Sequence, residues 1–365
     1  MRIPSHRPAI ERITPYVPGK PIAEVQEEYG LENIIKLASN ENPLGPSPLA
    51  MEALKEAISG VHIYPDGAAR DLRNAIAKKY GVSSDEVFVG NGSDEIIKLL
   101  AEAFLLPDDE VIFADATFSE YAYATRLMGA REVVVPVREE THDLTAMAER
   151  ITERTKIVFI CNPNNPTGTY VNAEAVDAFL EKVPEGVLVV LDEAYVEYVD
   201  AADFPNAIDL ICQGRLVATM RTFSKIYGLA GLRVGYIIAP RDVVALLNRV
   251  KEPFNVNLLA QKAALAALDD TEHLERSRET NSQGKAYLYA AFADMGLRYC
   301  PTQANFIFVD IGRPCRPVYE RLLQEGVIVR TGDIFDRPTF LRVTIGTQQE
   351  NERFIKALRR ALTAG

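Results

Sequence analysis

The stretch that decides the fold runs from Lys156 to Tyr195 and reads KIVFICNPNNPTGTYVNAEAVDAFLEKVPEGVLVVLDEAY. It begins and ends in short apolar runs, Ile157-Val158-Phe159-Ile160 and Val187–Leu191, both rich in β-branched residues. Between them, Glu174–Lys182 has helical spacing. A short run that is apolar throughout, rather than alternating, suits a strand covered on both faces. Two such strands joined through a helix are parallel neighbours.

The same alternation continues in both directions. Val87–Val89, Val111–Phe113, Val133–Val137, Leu216–Met220 and Val234–Ala239 are further strand candidates, and Ala69–Tyr80, Ser93–Leu105 and Phe118–Met128 carry helical patterns. The pattern predicts an α/β fold: a large domain over 48–255 with a mostly parallel, helix-covered sheet. Such sheets place ligands beyond the carboxyl ends of their strands. Residues 1–47 are rich in Pro and Gly and predict an extended arm with one short helix at 22–29. Ser47-Pro48 predicts an N-cap followed by Pro at the first position of a helix that reaches Ile58. From 256 the texture changes to long helical stretches, Val256–Leu268 and Leu274–Met295, followed by mixed strands and helices. This predicts a smaller α+β domain over 256–365, with the long helix as the connection.

Composition excludes several function classes. The chain has 365 residues, 47% hydrophobic and 25% charged, with 40 Lys+Arg against 51 Asp+Glu and a formal net charge of −11. Such an acidic chain predicts no nucleic-acid partner. No run of about 18 apolar residues predicts a membrane span. Met1–Pro8 lacks the apolar stretch of a signal peptide. Cys161, Cys212, Cys300 and Cys315 form no CxxC pair, which predicts a reducing, cytoplasmic setting. Four scattered histidines without HExxH predict no metal site. No GxGxxG follows the first strand, as a nicotinamide dehydrogenase would need. The Pro-rich start leaves no room for the basic DNA-binding head of a regulator.

Five segments follow strands directly. Gly90-Asn91-Gly92-Ser93-Asp94-Glu95 reads either as a helix capped by Ser93 or as a phosphate cradle at a helix N-terminus. Asn162–Gly168 and Asp192-Glu193-Ala194-Tyr195 are ordinary as isolated phrases. In Arg221-Thr222-Phe223-Ser224-Lys225 a lysine sits among small hydroxyl residues in an apolar stretch. Desolvation lowers the pKa of a lysine and suits it to Schiff-base chemistry. Gly228–Gly235 holds a single arginine, Arg233, in a glycine-rich apolar loop.

The order and spacing of Asn165, Asp192, Tyr195, Lys225 and Arg233, with the phrases NNPTG, DEAY, TFSK and GLAGLRVG, resemble the fold-type I, class II pyridoxal 5′-phosphate aminotransferases across nearly the whole chain. The further phrases PYVPGKP (15–21), LASNENPLGPSP (37–48), YPDG (64–67), QANFIFVD (303–310), GVIVR (326–330) and LRVTIGT (341–347) resemble the branch that acts on histidinol phosphate.

The resemblance implies roles. Lys225 would hold the cofactor as a Schiff base and move the proton. Asp192 would pair with the pyridine nitrogen, and Asn165 and Tyr195 would hydrogen-bond the ring oxygen. Gly92, Ser93 and Asp94, with Ser224 and Arg233, would hold the phosphate. Phe118 would stack on the ring, although Ala116-Thr117-Phe118 departs from the usual Pro-Thr-Tyr. Tyr64 would reach the phosphate in a neighbouring subunit, so a homodimer with shared sites is implied, its interface including the arm. Tyr16, Asn40, Arg330 and Arg342 would bind the substrate. Phe335-Asp336-Arg337-Pro338 departs from the family phrase. The implied reaction is transamination between histidinol phosphate and 2-oxoglutarate in histidine biosynthesis. The alternative is an aromatic amino-acid aminotransferase of the same fold.

Overall fold

The computed structural model describes residues 4–15 and 19–363. Its strands, in chain order, are β1 (Ile35–Lys36), β2 (Val87–Gly90), β3 (Glu110–Ala114), β4 (Arg131–Val135), β5 (Thr155–Cys161), β6 (Leu188–Asp192), β7 (Val217–Thr222), β8 (Gly235–Ile238), β9 (Arg298–Cys300), β10 (Phe306–Asp310), β11 (Val327–Ile328), β12 (Arg330–Thr331) and β13 (Phe340–Thr344). Seven of them form one sheet in the order β2-β8-β7-β6-β5-β3-β4. β8 runs antiparallel to both of its neighbours; the other pairings are parallel.

The apolar runs have the cause expected of them. Side chains alternate across a strand, and both faces of this sheet are dry. Val158, Ile160, Val189 and Leu191 enter one core cluster, while Ile157, Phe159, Leu188 and Val190 enter the other. The helices Gly92–Phe104, Glu120–Met128 and Arg241–Val250 cover the second face. The helices Arg70–Tyr80 and Ala173–Leu180 cover the first. Ser47 caps the helix Pro48–Ala57 by accepting from the Ala50 N–H. The helices Leu144–Glu149 and Ala207–Cys212 were not foreseen, because six residues are too few to show a period.

A second, antiparallel sheet in the order β12-β13-β10-β9 packs Ile307, Val309, Leu341 and Val343 against the helices Cys315–Gln324, Thr271–Asp294 and Gln348–Thr363. The run Val327–Thr331 serves two sheets. β11 pairs with β1 of the arm, and β12 pairs with β13. The helix Ile22–Tyr29 forms where expected and buries Val25 beside Leu323 and Ile328 of the smaller body.

One boundary needs correcting. The helix Leu258–Ala267, placed in the smaller domain by the division at 256, buries Ala260, Ala263, Ala264 and Ala267 in the core of the large sheet. The helix Thr271–Asp294 then passes from that core, through Leu274, into the smaller one, through Leu288 and Phe292. An alanine-rich face carries no sequence sign of which body it packs against.

The turn after β7 fixes the arm over the strand ends. The Gly228 N–H donates to the Lys225 carbonyl at 3.0 Å, and the Ser47 N–H to the Tyr227 carbonyl at 3.1 Å. Gly228 has φ +70°, and a Cβ there would lie 2.1 Å from the Gly45 carbonyl oxygen. Backbone on backbone cannot yield cheaply, so Gly228→Ala should cost at least about 2 kcal/mol. A urea midpoint unchanged from wild type would contradict this account of the turn.

Candidate active site

A cavity of about 180 Å³ opens where β5, β6 and β7 end, between the two bodies and beneath the arm. Asp192 is the last residue of β6, in register with Cys161 of β5 and Met220 of β7. Lys225 follows three residues after β7. Asn165, Tyr195, Ser224 and Arg233 lie on the loops leaving these strands and line the same cavity. Two consecutive carboxylates close β6, and the strand period sends them to opposite faces. Asp192 lines the cavity, whereas Glu193 turns away and accepts from Arg221 Nε at 2.9 Å, Arg221 Nη2 at 2.7 Å and Thr219 Oγ1 at 2.7 Å.

Asp192 is buried, and its partners are the Tyr121 hydroxyl at 2.6 Å and the Ala194 N–H at 3.2 Å. Burial pushes its pKa up to about 6, against those two hydrogen bonds, which hold it down. Lys225 Nζ donates to the Ser39 carbonyl at 3.2 Å and sits 5.6 Å from the centre of the Tyr195 ring. Burial, and then the nearby Arg342 charge, lower its pKa to about 8. The Tyr195 hydroxyl accepts from Asn40 Nδ2 at 3.0 Å, and burial raises its pKa.

One end of the cavity is an anion cradle. The helix begins at Gly92, so Ser93 lies inside its first turn, and of the two readings of this segment the helix capped by Ser93 is not the one observed. Arg233 Nη2 pairs with Asp94 at 2.8 Å, and Nη1 lies 3.5 Å from the Ser224 hydroxyl. Gly92 has φ +81°, a conformation that favours glycine, and a Cβ there would stand 2.7 Å from Arg233 Nη2, so the glycine leaves the guanidinium its place at the helix N-terminus. Glu95, a potential competitor for an anion, is turned onto the Asn91 N–H at 2.6 Å and Asn255 Nδ2 at 2.7 Å.

The other end holds two arginines. Arg330 of β12 and Arg342 of β13 are direct partners in an antiparallel pair, so they project from one face, and both line the cavity. Arg342 also donates to Asn165 Oδ1 at 2.5 Å and to the Ala38 carbonyl at 2.7 Å, with the Phe306 and Phe335 rings 5.4 and 5.9 Å away. Those partners are neutral oxygens that orient the guanidinium.

Asn40 and Phe118 also line the cavity. Tyr64 does not: it is 79% exposed and stacks on Phe254 at 4.6 Å. Tyr16 lies outside the described residues. Arg337, which departs from the family phrase, pairs across the bodies with Glu140 at 3.0 Å and Asp115 at 3.5 Å. Tyr121, Ser39 and Thr222 belong to the site and were not foreseen. Ser39 and Thr222 stand inside quoted phrases that gave them no role, and Ser39 acts through its backbone carbonyl.

The family model for aminotransferase class I and II matches residues 32–358. The chain belongs to the class I and II aminotransferases. It is 59% identical, over 99% of its length and 94% of the relative, to a histidinol-phosphate aminotransferase of Moorella thermoacetica. It is 46% identical to one of Caldicellulosiruptor saccharolyticus, over 98% of this chain and 99% of the relative. Its structure is similar, with a TM-score of 0.92 and 26% identity, to the histidinol-phosphate aminotransferase of Sinorhizobium meliloti in complex with pyridoxal-5′-phosphate, covering 100% of this chain and 99% of that one.

In this aminotransferase the lowered pKa of Lys225 has a direct consequence. A lowered value means that more free amine is present at a given pH. In the cofactor-free protein, labelling of Lys225 by a limiting amine-acylating reagent should rise with pH around a midpoint near 8, not the ordinary 10.5. Mass spectrometry of the Lys225 peptide across pH measures it, and a midpoint near that of the surface lysines would contradict the burial argument.

Proposed function

We propose that the protein is a pyridoxal 5′-phosphate-dependent aminotransferase that exchanges the amino group between L-histidinol phosphate and 2-oxoglutarate, a step of histidine biosynthesis. One observation carries the choice of substrate beyond the relatives' names. The paired Arg330 and Arg342 place two guanidinium groups on one face of the cavity. A dianionic phosphate has enough oxygens to use both, and a carboxylate can be bound by one. An aromatic amino acid offers only its α-carboxylate, which one of the two guanidinium groups can bind, so the aromatic alternative is not favoured.

The cofactor fits the residues present. The buried Asp192 carboxylate suits a cationic ring N–H, the Gly92–Arg233 cradle suits a phosphate, and the lowered pKa of Lys225 suits an amine that bonds an aldehyde. When bound, the cofactor supplies an electron sink for the charge left at the substrate Cα. Lys225 Nζ would hold the cofactor through its aldehyde carbon and, as a free amine, would move a proton between the substrate Cα and that carbon. Asp192 keeps the proton on the ring nitrogen. Asn165 and Tyr195 hydrogen-bond the ring oxygen. The N–H groups of Gly92, Ser93 and Asp94, with Ser224 and Arg233, anchor the cofactor phosphate, and Phe118 gives the ring a stacking face. Arg342 takes the carboxylate of glutamate; with Arg330, and with Tyr16 as third partner, it takes the substrate phosphate. Asn40 fixes the Tyr195 hydroxyl.

The protein works as a homodimer in this proposal. Tyr64 is unused by its own cavity and stands in an exposed apolar segment with Ile58, Val61 and Ile63, as a residue donated to a neighbouring site would. The two bodies act as a cofactor domain and a smaller substrate domain. A cytoplasmic setting accords with four free cysteines, and among the described residues no helix is long and apolar enough to cross a membrane.

Single half-reactions, followed by cofactor absorbance, test the substrate. Arg342→Leu should weaken both glutamate and histidinol phosphate. Arg330→Leu should weaken histidinol phosphate by about tenfold or more, roughly 1.4 kcal/mol, and glutamate less. Unchanged histidinol phosphate binding in Arg330→Leu, with phenylalanine the better donor, would replace this reading by the aromatic one. Lys225→Ala should fold and lose turnover. Mixed with inactive Tyr64→Ala, it should regain part of the activity through heterodimers that carry one intact site. Proven subunit exchange without any rescue would argue against shared sites.

A further inference from the structure

Asp192 is aimed by a residue that lies outside the cavity. Tyr121, in the first turn of the helix Glu120–Met128, is fully buried, and its hydroxyl donates to Asp192 Oδ2 at 2.6 Å. Its ring stacks on Phe159 with centroids 4.4 Å apart and planes 7° apart, and meets Phe118 edge-on at 5.8 Å. One side chain therefore contacts both the carboxylate and the aromatic residue offered to the cofactor ring. The stacked ring has little freedom to turn, which fixes where the hydroxyl points.

We propose that Tyr121 is a positioning residue that keeps Asp192 ionised and directed at the ring nitrogen of the cofactor. This rests on the function proposed above. A carboxylate and a pyridine nitrogen share one proton, and the more basic partner holds it. A phenol donating to the carboxylate makes that carboxylate less basic, so the proton stays on the ring. Without the hydroxyl, Asp192 competes for the proton and the ring withdraws electrons less well.

The other titratable groups around Asp192 cannot substitute for it. Burial raises the pKa of Cys161 and of Tyr195, so both stay neutral. Asp94 and Glu193 raise the pKa of Asp192. Lys225 shares the cavity but donates to the Ser39 carbonyl. The Ala194 N–H is the weaker donor at 3.2 Å. Burial keeps the pKa of Tyr121 itself well above its ordinary value, so the phenol remains a donor.

The test is equilibrium binding of pyridoxal 5′-phosphate to the purified, cofactor-stripped chain across pH, read by absorbance. Wild type should show an acid limb near pH 6, where Asp192 takes up a proton. Removing a donor to the ionised form raises a pKa, so Tyr121→Phe should move the limb up by about one pH unit. Turnover should also fall, with KM for the amine little changed. Lys225 and the ligand phosphate titrate too, so the comparison is repeated in Asp192→Asn, where adding Tyr121→Phe should change nothing further. Tyr121→3-fluorotyrosine, with the same ring and a more acidic phenol, should move the limb down, and it serves if the Phe variant is unstable. An unmoved limb in a folded variant would overturn the proposal. So would an equal shift in the Asp192→Asn background. Absence of binding by wild type at any pH would instead overturn the cofactor reading, and the proposal with it.

Discussion

The large sheet is dry on both faces, and the placement of every polar group in the site follows from this. Along β5 and β6 the successive side chains of Ile157–Cys161 and Leu188–Leu191 enter one apolar cluster or the other. A charged residue inside either cluster would carry a desolvation cost of several kcal/mol unless paired. The strand ends are where charge can emerge, so Asp192 and, just beyond β7, Lys225 meet at one edge of the sheet. Even there they are desolvated enough for their ordinary values to move toward each other, Asp192 up to about 6 and Lys225 down to about 8. A lysine with such a value offers free amine near neutrality, while Asp192 remains largely ionised there.

The substrate end is built separately and then tied on. Arg342 belongs to the smaller sheet, yet its guanidinium holds Ala38 of the arm and Asn165 of the large body. The arm acts as the bolt between the bodies. Leu37 donates to the Ile328 carbonyl and accepts from the Thr344 N–H, while Asn305 Nδ2 donates to the Asn40 carbonyl. Asn40 in turn fixes the Tyr195 hydroxyl. A shift of the smaller body would therefore move the substrate arginines and the ring-oxygen donors together. Arg337 adds a tether at the mouth, through Glu140 and through Asp115, which lies just before the loop carrying Phe118.

What was legible in the sequence follows the same physics. Strands buried on both faces have to be continuous apolar runs, so β2, β3, β5, β6 and β7 stand out, as do the residues that follow them. The arm helix and the Ser47 cap were legible from local turn chemistry. Short helices such as Ala207–Cys212 lack the length to show a period, and the antiparallel course of β8 leaves no mark in its composition. The division of 327–331 between two sheets depends on pairing with Ile35 and Leu341, partners far away in the chain. In the site, residues spelled by a family phrase could be named in advance. Tyr121 could not, because it is an ordinary core tyrosine until Asp192 is seen beside it, and Ser39, although inside a family phrase, contributes only a carbonyl.

Charge reaches the cavity against the overall balance. The chain carries a formal −11, which at long range repels the anions it is proposed to bind. Yet Lys225, Arg233, Arg330 and Arg342 all line one small cavity with Asp94 and Asp192. Glu193, which could have added another negative charge, is kept on the opposite face by Arg221, whose guanidinium lies 4.7 Å from the centre of the Tyr80 ring. The strand period thus removes a carboxylate from the site without removing it from the sequence. Screening over about 8 Å at physiological salt hides the distant surface charge from a ligand at the mouth, while the cations lining the cavity, Arg342 buried among them, act on a ligand in direct contact. The acidic surface and the cationic cavity are then compatible: the first acts on solubility, the second on phosphate and carboxylate groups once they are within a few ångströms.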